Sequence, residues 1–188
     1  GTSHIELLGS REAIAEAKGE LIRCLPENSV AILNEDDPYV KAMDSLAKGK
    51  TITYGIERNA TCIGSHLRYK KDGIKFTCKC YDEVFDIFLP MIGEHNVYDA
   101  LAAIVAGSVL GIKSNTIRKG LSEFTGTPMR QEIVPFEDIV ILNDAYNANP
   151  SSMAEAIKAL GQLEGKRKIA MLGDMLELGD FSEDAHRE

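Results

Sequence analysis

The densest set of chemistry-bearing side chains in this sequence lies in DAYNANPSSM (144–153). There Asp144, Tyr146, Asn147 and Asn149 follow the apolar run Ile139–Leu142 almost at once. A surface turn needs one glycine or one Asx residue. A carboxylate, a phenol and two amides are therefore more hydrogen-bonding capacity than a turn consumes, and they read as groups aimed at a ligand. Two further polar clusters occupy the same kind of place: NEDDP (34–38) after Val30–Leu33, and GDMLELGD (173–180) after Ile169–Leu172. Ligands of open parallel sheets sit beyond the C-terminal ends of the strands. Turn formation and helix capping are the plainer use of Asn, Asp and Gly at such ends. For DAYNANP a cap accounts for Asn149 or Ser152, but not for Asp144, Tyr146 and Asn147 together.

Lys18 has Ile14 four positions before it and Leu21 and Ile22 three and four positions after. On a helix that puts it at the edge of an apolar stripe. Such a lysine either reaches out to water along its own stem or, once desolvated, presents a neutral and reactive amine. His4 is a lone histidine near the chain start, and its spacing alone gives it no role. His95 and Asn96 open a predicted helix, where free N–H groups and a side-chain amide can read a base edge. His66 and His186 read as surface residues.

Helices and strands that would hold these groups can be placed by pattern. Ser10 can cap a helix whose positions Ile14, Ala17, Leu21 and Cys24 fall at helical spacing, ended by Pro26. Val30–Leu33 and Thr51–Tyr54 read as strands, with a helix over Pro38–Leu46 whose proline sits in the tolerated first turn. From Ala60 to Leu89 the period becomes two: Ile74, Phe76, Cys78 and Cys80 alternate with Lys75, Thr77 and Lys79, after the turn signal Lys71–Asp72–Gly73. This predicts an antiparallel appendage on an alternating α/β chain. HNVYDALAAIVAGSVLG (95–111) and SNTIRKGLSEF (114–124) read as helices, and GTPMRQE, with Gly126 and Pro128, as a loop. The domain boundary is placed there, giving residues 1–127 and 128–188. Beyond it come strands at 132–135 and 138–143, a helix capped by Ser152 with Glu155 three residues on, and a strand at Lys168–Leu172. Strand, helix, strand with short connections predicts a parallel, doubly wound sheet.

Composition narrows the functions. A 188-residue chain that is 44% hydrophobic can bury a real core. A net charge of −8 argues against a nucleic-acid backbone as partner, since that needs clustered Lys and Arg. A phosphate ligand held by a few local donors stays open. Cys24, Cys62, Cys78 and Cys80 lack CxxC spacing and read as free thiols of a reducing compartment. No apolar run reaches the ~18 residues of a membrane span, and no signal peptide opens the chain. The expectation is a cytoplasmic protein with no membrane partner and no assignable oligomeric state. The chain starts without methionine and stops as a helix begins, which reads as a piece of something longer.

SHIELLGSREAIAEAK (3–18), LNEDDP (33–38), GEHNVYDALAA (93–103), TPMRQE (127–132), NDAYNANPSSM (143–153) and MLGDMLELGDFSEDAH (171–186) together resemble the Mur ligases of bacterial cell-wall synthesis. The resemblance spans the chain in consistent order. It implies the second part of a central ATPase-type α/β domain with antiparallel strands, then the first half of a Rossmann-like C-terminal domain. It also implies ATP and Mg²⁺ as cofactors, and the joining of D-alanyl-D-alanine to UDP-N-acetylmuramoyl-tripeptide through an acyl phosphate. By the same resemblance His4 and Lys18 would be magnesium ligands, with Lys18 carbamylated. His95, Asn96 and Asp99 would hold the adenine end of ATP, with Asp99 standing where the family usually carries asparagine. Arg130 would approach the transferring phosphate, Asp144 the ribose or its neighbourhood, and Tyr146, Asn147 and Asn149 the dipeptide side of an interdomain cleft. The glycine-rich phosphate loop GxxxxGK[ST] is absent and is expected upstream, so these residues alone are expected to be inactive. A related ligase such as folylpolyglutamate synthase leaves DAYNANP and LGDMLELG unexplained. A non-catalytic nucleotide-binding module remains the alternative from another class.

Overall fold

A computed structural model describes residues 5–70 and 72–187. In chain order the helices are α1 (Ile5–Leu8), α2 (Arg11–Cys24), α3 (Pro38–Ala42), α4 (His95–Val109), α5 (Ser114–Ser122), α6 (Pro150–Gln162) and α7 (Ser182–Arg187). The strands are β1 (Val30–Asn34), β2 (Lys50–Gly55), β3 (Cys62–Lys70), β4 (Gly73–Cys80), β5 (Glu83–Leu89), β6 (Glu132–Phe136) and β7 (Ile139–Asn143). These form two compact units, Ala15–Phe124 and Gly1–Ile14 with Thr125–Glu188. The protein is α/β, with a mixed five-stranded sheet in the first unit and a small second sheet in the other.

The five-stranded sheet runs β1-β2-β3-β4-β5. β1, β2 and β3 are parallel neighbours, and β3, β4 and β5 are antiparallel. Parallel neighbours usually need a crossover of about a dozen residues or more. Here β3 begins beside the end of β2, with only Tyr54↔Cys62 and Gly55↔Ile63 paired, so a short reversal suffices. The period-two stretch behaves as its pattern predicts: Ile74, Phe76, Cys78 and Cys80 are buried while Lys75 and Lys79 are exposed. They pack with Ile87 and Leu89 of β5 and with Val97, Ala100, Leu101, Ile104 and Val105 of α4. On β1, Val30 and Ile32 face that same core, while Ala31 and Leu33 pack with Ile22 of α2 and Met43. Helices thus cover both faces of the parallel part, as parallel strands require. Gly73 opens β4 at φ 150°, and a Cβ there would run into the Leu89 carbonyl. Lys71, the first residue of the expected turn, lies outside the described residues.

Two expectations about helices are corrected. The buried stripe of α2 runs through Ile14 and Ile22, with Gly19 against Leu46, and not through Ala17, Leu21 and Cys24, which are exposed. A Cβ on Gly19 would lie 2.9 Å from Leu46 Cδ1, so a residue that carries no hydropathy signal is part of the contact. The cap of α6 is Asn149, whose side chain accepts from the Ser152 N–H, while the Ser152 hydroxyl accepts from the Asn149 N–H. This is a reciprocal capping box with Pro150 at the first helical position.

In the other unit β6 and β7 form a hairpin from Glu132↔Asn143 to Phe136↔Ile139. Met175 and Leu178 are buried against Ile5 and Ile14, with Ala148, Met153 and Ala185 alongside. The expected strand at Lys168–Leu172 joins no ladder: it runs as irregular chain with Ile169 63% and Met171 93% exposed. The run Ile139–Ile141, expected as a buried strand, is exposed as well. A two-stranded sheet without a covering layer leaves both its faces to water, and strand formation needs a paired neighbour that propensity alone cannot supply.

Candidate functional site

The first group lies in unit Ala15–Phe124, where the C-terminal ends of β1 and β2 meet the start of α4. Gly93, at φ 92°, turns the chain into α4, and its carbonyl accepts from the Asn96 N–H at 3.2 Å. The Asn96 amide NH₂ donates to the Ile92 carbonyl at 2.6 Å and lies 3.1 Å from His95 Nε2. One of its donors is thus spent on the turn, while Oδ1 remains an acceptor. Burial pushes the Asp99 carboxyl above its ordinary value, with the charge of His95 pulling partly the other way. Burial, then the charges of Asp99 and Asp37, raise the phenol of Tyr54, so those groups share one electrostatic neighbourhood. The structure therefore brings His95, Asn96 and Asp99 together on one helical turn.

Sequence reasoning singled out NEDDP as a cluster but missed what Asp36 does in it. Its carboxylate accepts from the N–H groups of Ile56 (2.6 Å), Glu57 (3.0 Å) and Arg58 (2.8 Å) and from the Tyr98 hydroxyl (3.0 Å). Burial works to raise this carboxyl, but those donors outweigh it and hold it below the usual aspartate value. Nothing local could have revealed Tyr98 as its partner, since the two lie 62 positions apart.

The second group lies in the other unit and knits TPMRQE to NDAYN. The Tyr146 N–H donates to the Met129 carbonyl at 3.1 Å, and the Gln131 N–H to Asp144 Oδ1 at 3.2 Å. Glu132 Oε2 accepts from the Met129 N–H at 3.1 Å and from the Asn143 amide at 3.2 Å. Between these anchors the Arg130 guanidinium lies 4.0 Å from the centre of the Tyr146 ring. Met129 and Gln131 both have positive φ, 61° and 50°, a conformation that costs energy outside glycine and persists where its surroundings enforce it. A guanidinium packed over a ring can still offer N–H groups to a planar or tetrahedral anion. Arg130, Asp144 and Tyr146 are thus gathered, with Asp144 spending one oxygen on the loop itself. Asn147 Oδ1 accepts from the Ala148 N–H at 2.9 Å, and Asn149 Oδ1 serves its cap, so both amide oxygens are used locally. His186, read as a plain surface residue, accepts from the Met175 N–H at 3.0 Å and fastens the GDMLELGD stretch.

Lys18 is exposed on α2. It lies on the helix between the buried Ile14 and Ile22, four positions from each, so the apolar stripe flanks it as its spacing predicts, while the side chain itself is open to water. His4 lies outside the described residues. Among the described residues no three His, Cys, Asp or Glu side chains come together in a way that could hold a metal ion. These residues do not by themselves build a magnesium site, and the roles of Lys18 and His4 as its ligands rest on the resemblance alone.

Residues 1–107 match the family model of the Mur ligase middle domain, and residues 129–188 that of the Mur ligase, glutamate ligase domain. The chain belongs to the Mur ligase family. Over 100% of its length it is 43% identical to the UDP-N-acetylmuramoyl-tripeptide--D-alanyl-D-alanine ligase of Bacillus subtilis (strain 168), spanning 40% of that relative. A crystal structure of MurF from Acinetobacter baumannii matches 99% of this chain and 41% of its own, with a TM-score of 0.93 at 30% identity. A MurF ligase from Thermotoga maritima, in complex with ADP, matches with a TM-score of 0.89 at 25% identity, covering 100% of this chain and 43% of its own. The chain thus spans well under half the length of the relatives it matches.

Proposed function

We propose that this chain is the adenine- and phosphate-facing part of an ATP-dependent amide ligase that joins D-alanyl-D-alanine to UDP-N-acetylmuramoyl-tripeptide in cytoplasmic peptidoglycan synthesis. The domain reading follows: residues 1–127 as the second part of a central ATP-binding domain, 128–188 as the first half of a Rossmann-like C-terminal domain. The family models lie on either side of that boundary, over residues 1–107 and 129–188.

A carboxylate is a poor electrophile. Transfer of the γ-phosphoryl group to the tripeptide carboxylate gives an acyl phosphate and ADP. Attack by the dipeptide amine then forms the amide, releasing phosphate and a proton. Such transfer is catalysed by positioning and by charge rather than by covalent help. Arg130 supplies that charge in this reading. Its place over Tyr146, between anchors on Met129 and Gln131, is the observation that carries the reading. Asn96, with His95 and Asp99, receives the adenine, and Tyr146, Asn147 and Asn149 take the dipeptide side. Asp144 lies near the ribose. By resemblance Lys18 and His4 would be the residues that hold Mg²⁺, which would screen phosphate charge when bound. In the enzyme carrying this chain, phosphate release from ATP should require both the muramoyl tripeptide and D-alanyl-D-alanine. Release that is indifferent to omission of the dipeptide would sink the proposal.

A further inference from the structure

Asp36 stands at the end of β1 with its own N–H donated to Asn34 Oδ1 at 2.9 Å. From there its carboxylate engages two different pieces of chain. One is the short reversal after β2: three successive N–H groups, of Ile56, Glu57 and Arg58, converge on its two oxygens. Successive amides turned the same way make a concave anion receptor, and in this protein the anion is the side chain of Asp36. The other is α4, reached through the Tyr98 hydroxyl. The approach is close: a Cβ on Gly55 would lie 2.9 Å from Asp36 Oδ2. Tyr98 sits between Asn96 and Asp99 in sequence, on the same turn of helix, so whatever fixes Tyr98 fixes the height and rotation of that turn against the sheet edge.

We propose that Asp36 is a positioning residue for the nucleotide end of the site, tethering the first turn of α4 through Tyr98 so that Asn96 and Asp99 are presented in a fixed place. The proposal rests on the reading of Asn96 as an adenine-binding group and goes beyond it in naming the device that aims it. A carboxylate suits the task because it accepts from several N–H groups and a hydroxyl at once, and charge-assisted hydrogen bonds hold geometry more firmly than neutral ones. Tyr98 suits it because a phenol on a rigid ring reaches further than a serine, with only two torsions to fix between backbone and ring.

The test uses the full enzyme that carries this chain, with ATP and D-alanyl-D-alanine varied in turn. Tyr98→Phe removes only the tether and leaves the contacts of Asp36 with the reversal in place, so it is the cleaner variant. Asp36→Asn serves as the second. Loss of one hydrogen bond to a charged group predicts that Tyr98→Phe raises KM for ATP by about 5- to 20-fold, with kcat and KM for the dipeptide within about two-fold. Because the tether acts through Asn96, Tyr98→Phe combined with Asn96→Ala should be little worse than Asn96→Ala alone. A merely structural role predicts additive losses and a fall in kcat. If Asn96→Ala raises KM for ATP and Tyr98→Phe does not, the tether is refuted while the adenine reading stands. If neither variant moves KM for ATP, the adenine reading itself falls and takes the tether with it.

Discussion

Asp99 shows how partial desolvation changes what a side chain costs, even at an exposed position. Its carboxyl is raised by desolvation, with His95 offsetting part of the effect, so the fold prefers the protonated form more than the unfolded chain does. For an acid shifted in that direction the favourable contribution is complete below the unfolded value of about 3.9 and is lost as pH rises through the folded value. At neutral pH the ionised Asp99 is therefore a small burden on the fold. Asp99→Asn, neutral at every pH, should be the more stable protein at pH 7, by less than about 1 kcal/mol because the side chain remains open to water on one side. The gap should close as pH falls toward 4. Thermal melts of the two proteins across that range check it, and a gap that ignores pH would show that the carboxyl is not desolvated. The asparagine also restores a donor that an ionised aspartate lacks, so it separates the electrostatic burden from the hydrogen-bonding role of this position.

Most helices and strands were legible because their periods are strong, as in β4, where Ile74, Phe76, Cys78 and Cys80 bury on alternation alone. Errors arose where the deciding partner lies elsewhere in the chain. On α2, the close approach of Gly19 to Leu46 gave no hydropathy signal, whereas Lys18 does lie beside the buried Ile14 and Ile22, as its spacing predicts. The stretch Lys168–Leu172 has strand composition and no strand beside it. In the candidate site, Arg130, Asp144 and Tyr146 were found by type, but the geometry joining them depends on left-handed residues Met129 and Gln131 that no pattern announces. The Asp36–Tyr98 contact was out of reach for the same reason. The cap of α6 was missed by three positions because DAYNANPSSM offers several capping residues, and only the backbone decides that Asn149, extended at φ −145° and ψ 165°, is the one. That choice has a measurable consequence. Asn149→Ala leaves the Ser152 N–H without its acceptor and should cost about 1–2 kcal/mol, whereas Asn149→Asp should be near neutral. A urea titration following helicity distinguishes them, and equal losses would mean that the box does not stabilise α6.

At the scale of the whole molecule, burial is unevenly shared between the two units. Unit Ala15–Phe124 holds a continuous core from Ile52 through β3, β4 and β5 to Val105 of α4, with Cys62, Val97, Leu101 and Ile104 at 0% exposure. The other unit closes a small cluster on Ile5, Ile14, Met175 and Leu178 and leaves Ile139, Val140, Ile169 and Leu172 more than half exposed. Local stability follows buried apolar contact and shielded hydrogen bonds, and burial contributes roughly 25 cal/mol per Å² of apolar surface. Openings that expose little new apolar surface therefore cost little. Hydrogen exchange of the 188-residue chain should divide accordingly: amides of β4 and of α4 should exchange only by the largest openings, while those of β6, β7 and 168–172 exchange far sooner. Strands β3 and β5, flanking β4, should follow it. Comparable protection in β7 and β4 would contradict the division, since it would require β7 to be shielded by contacts that its exposed Ile139 and Val140 do not make.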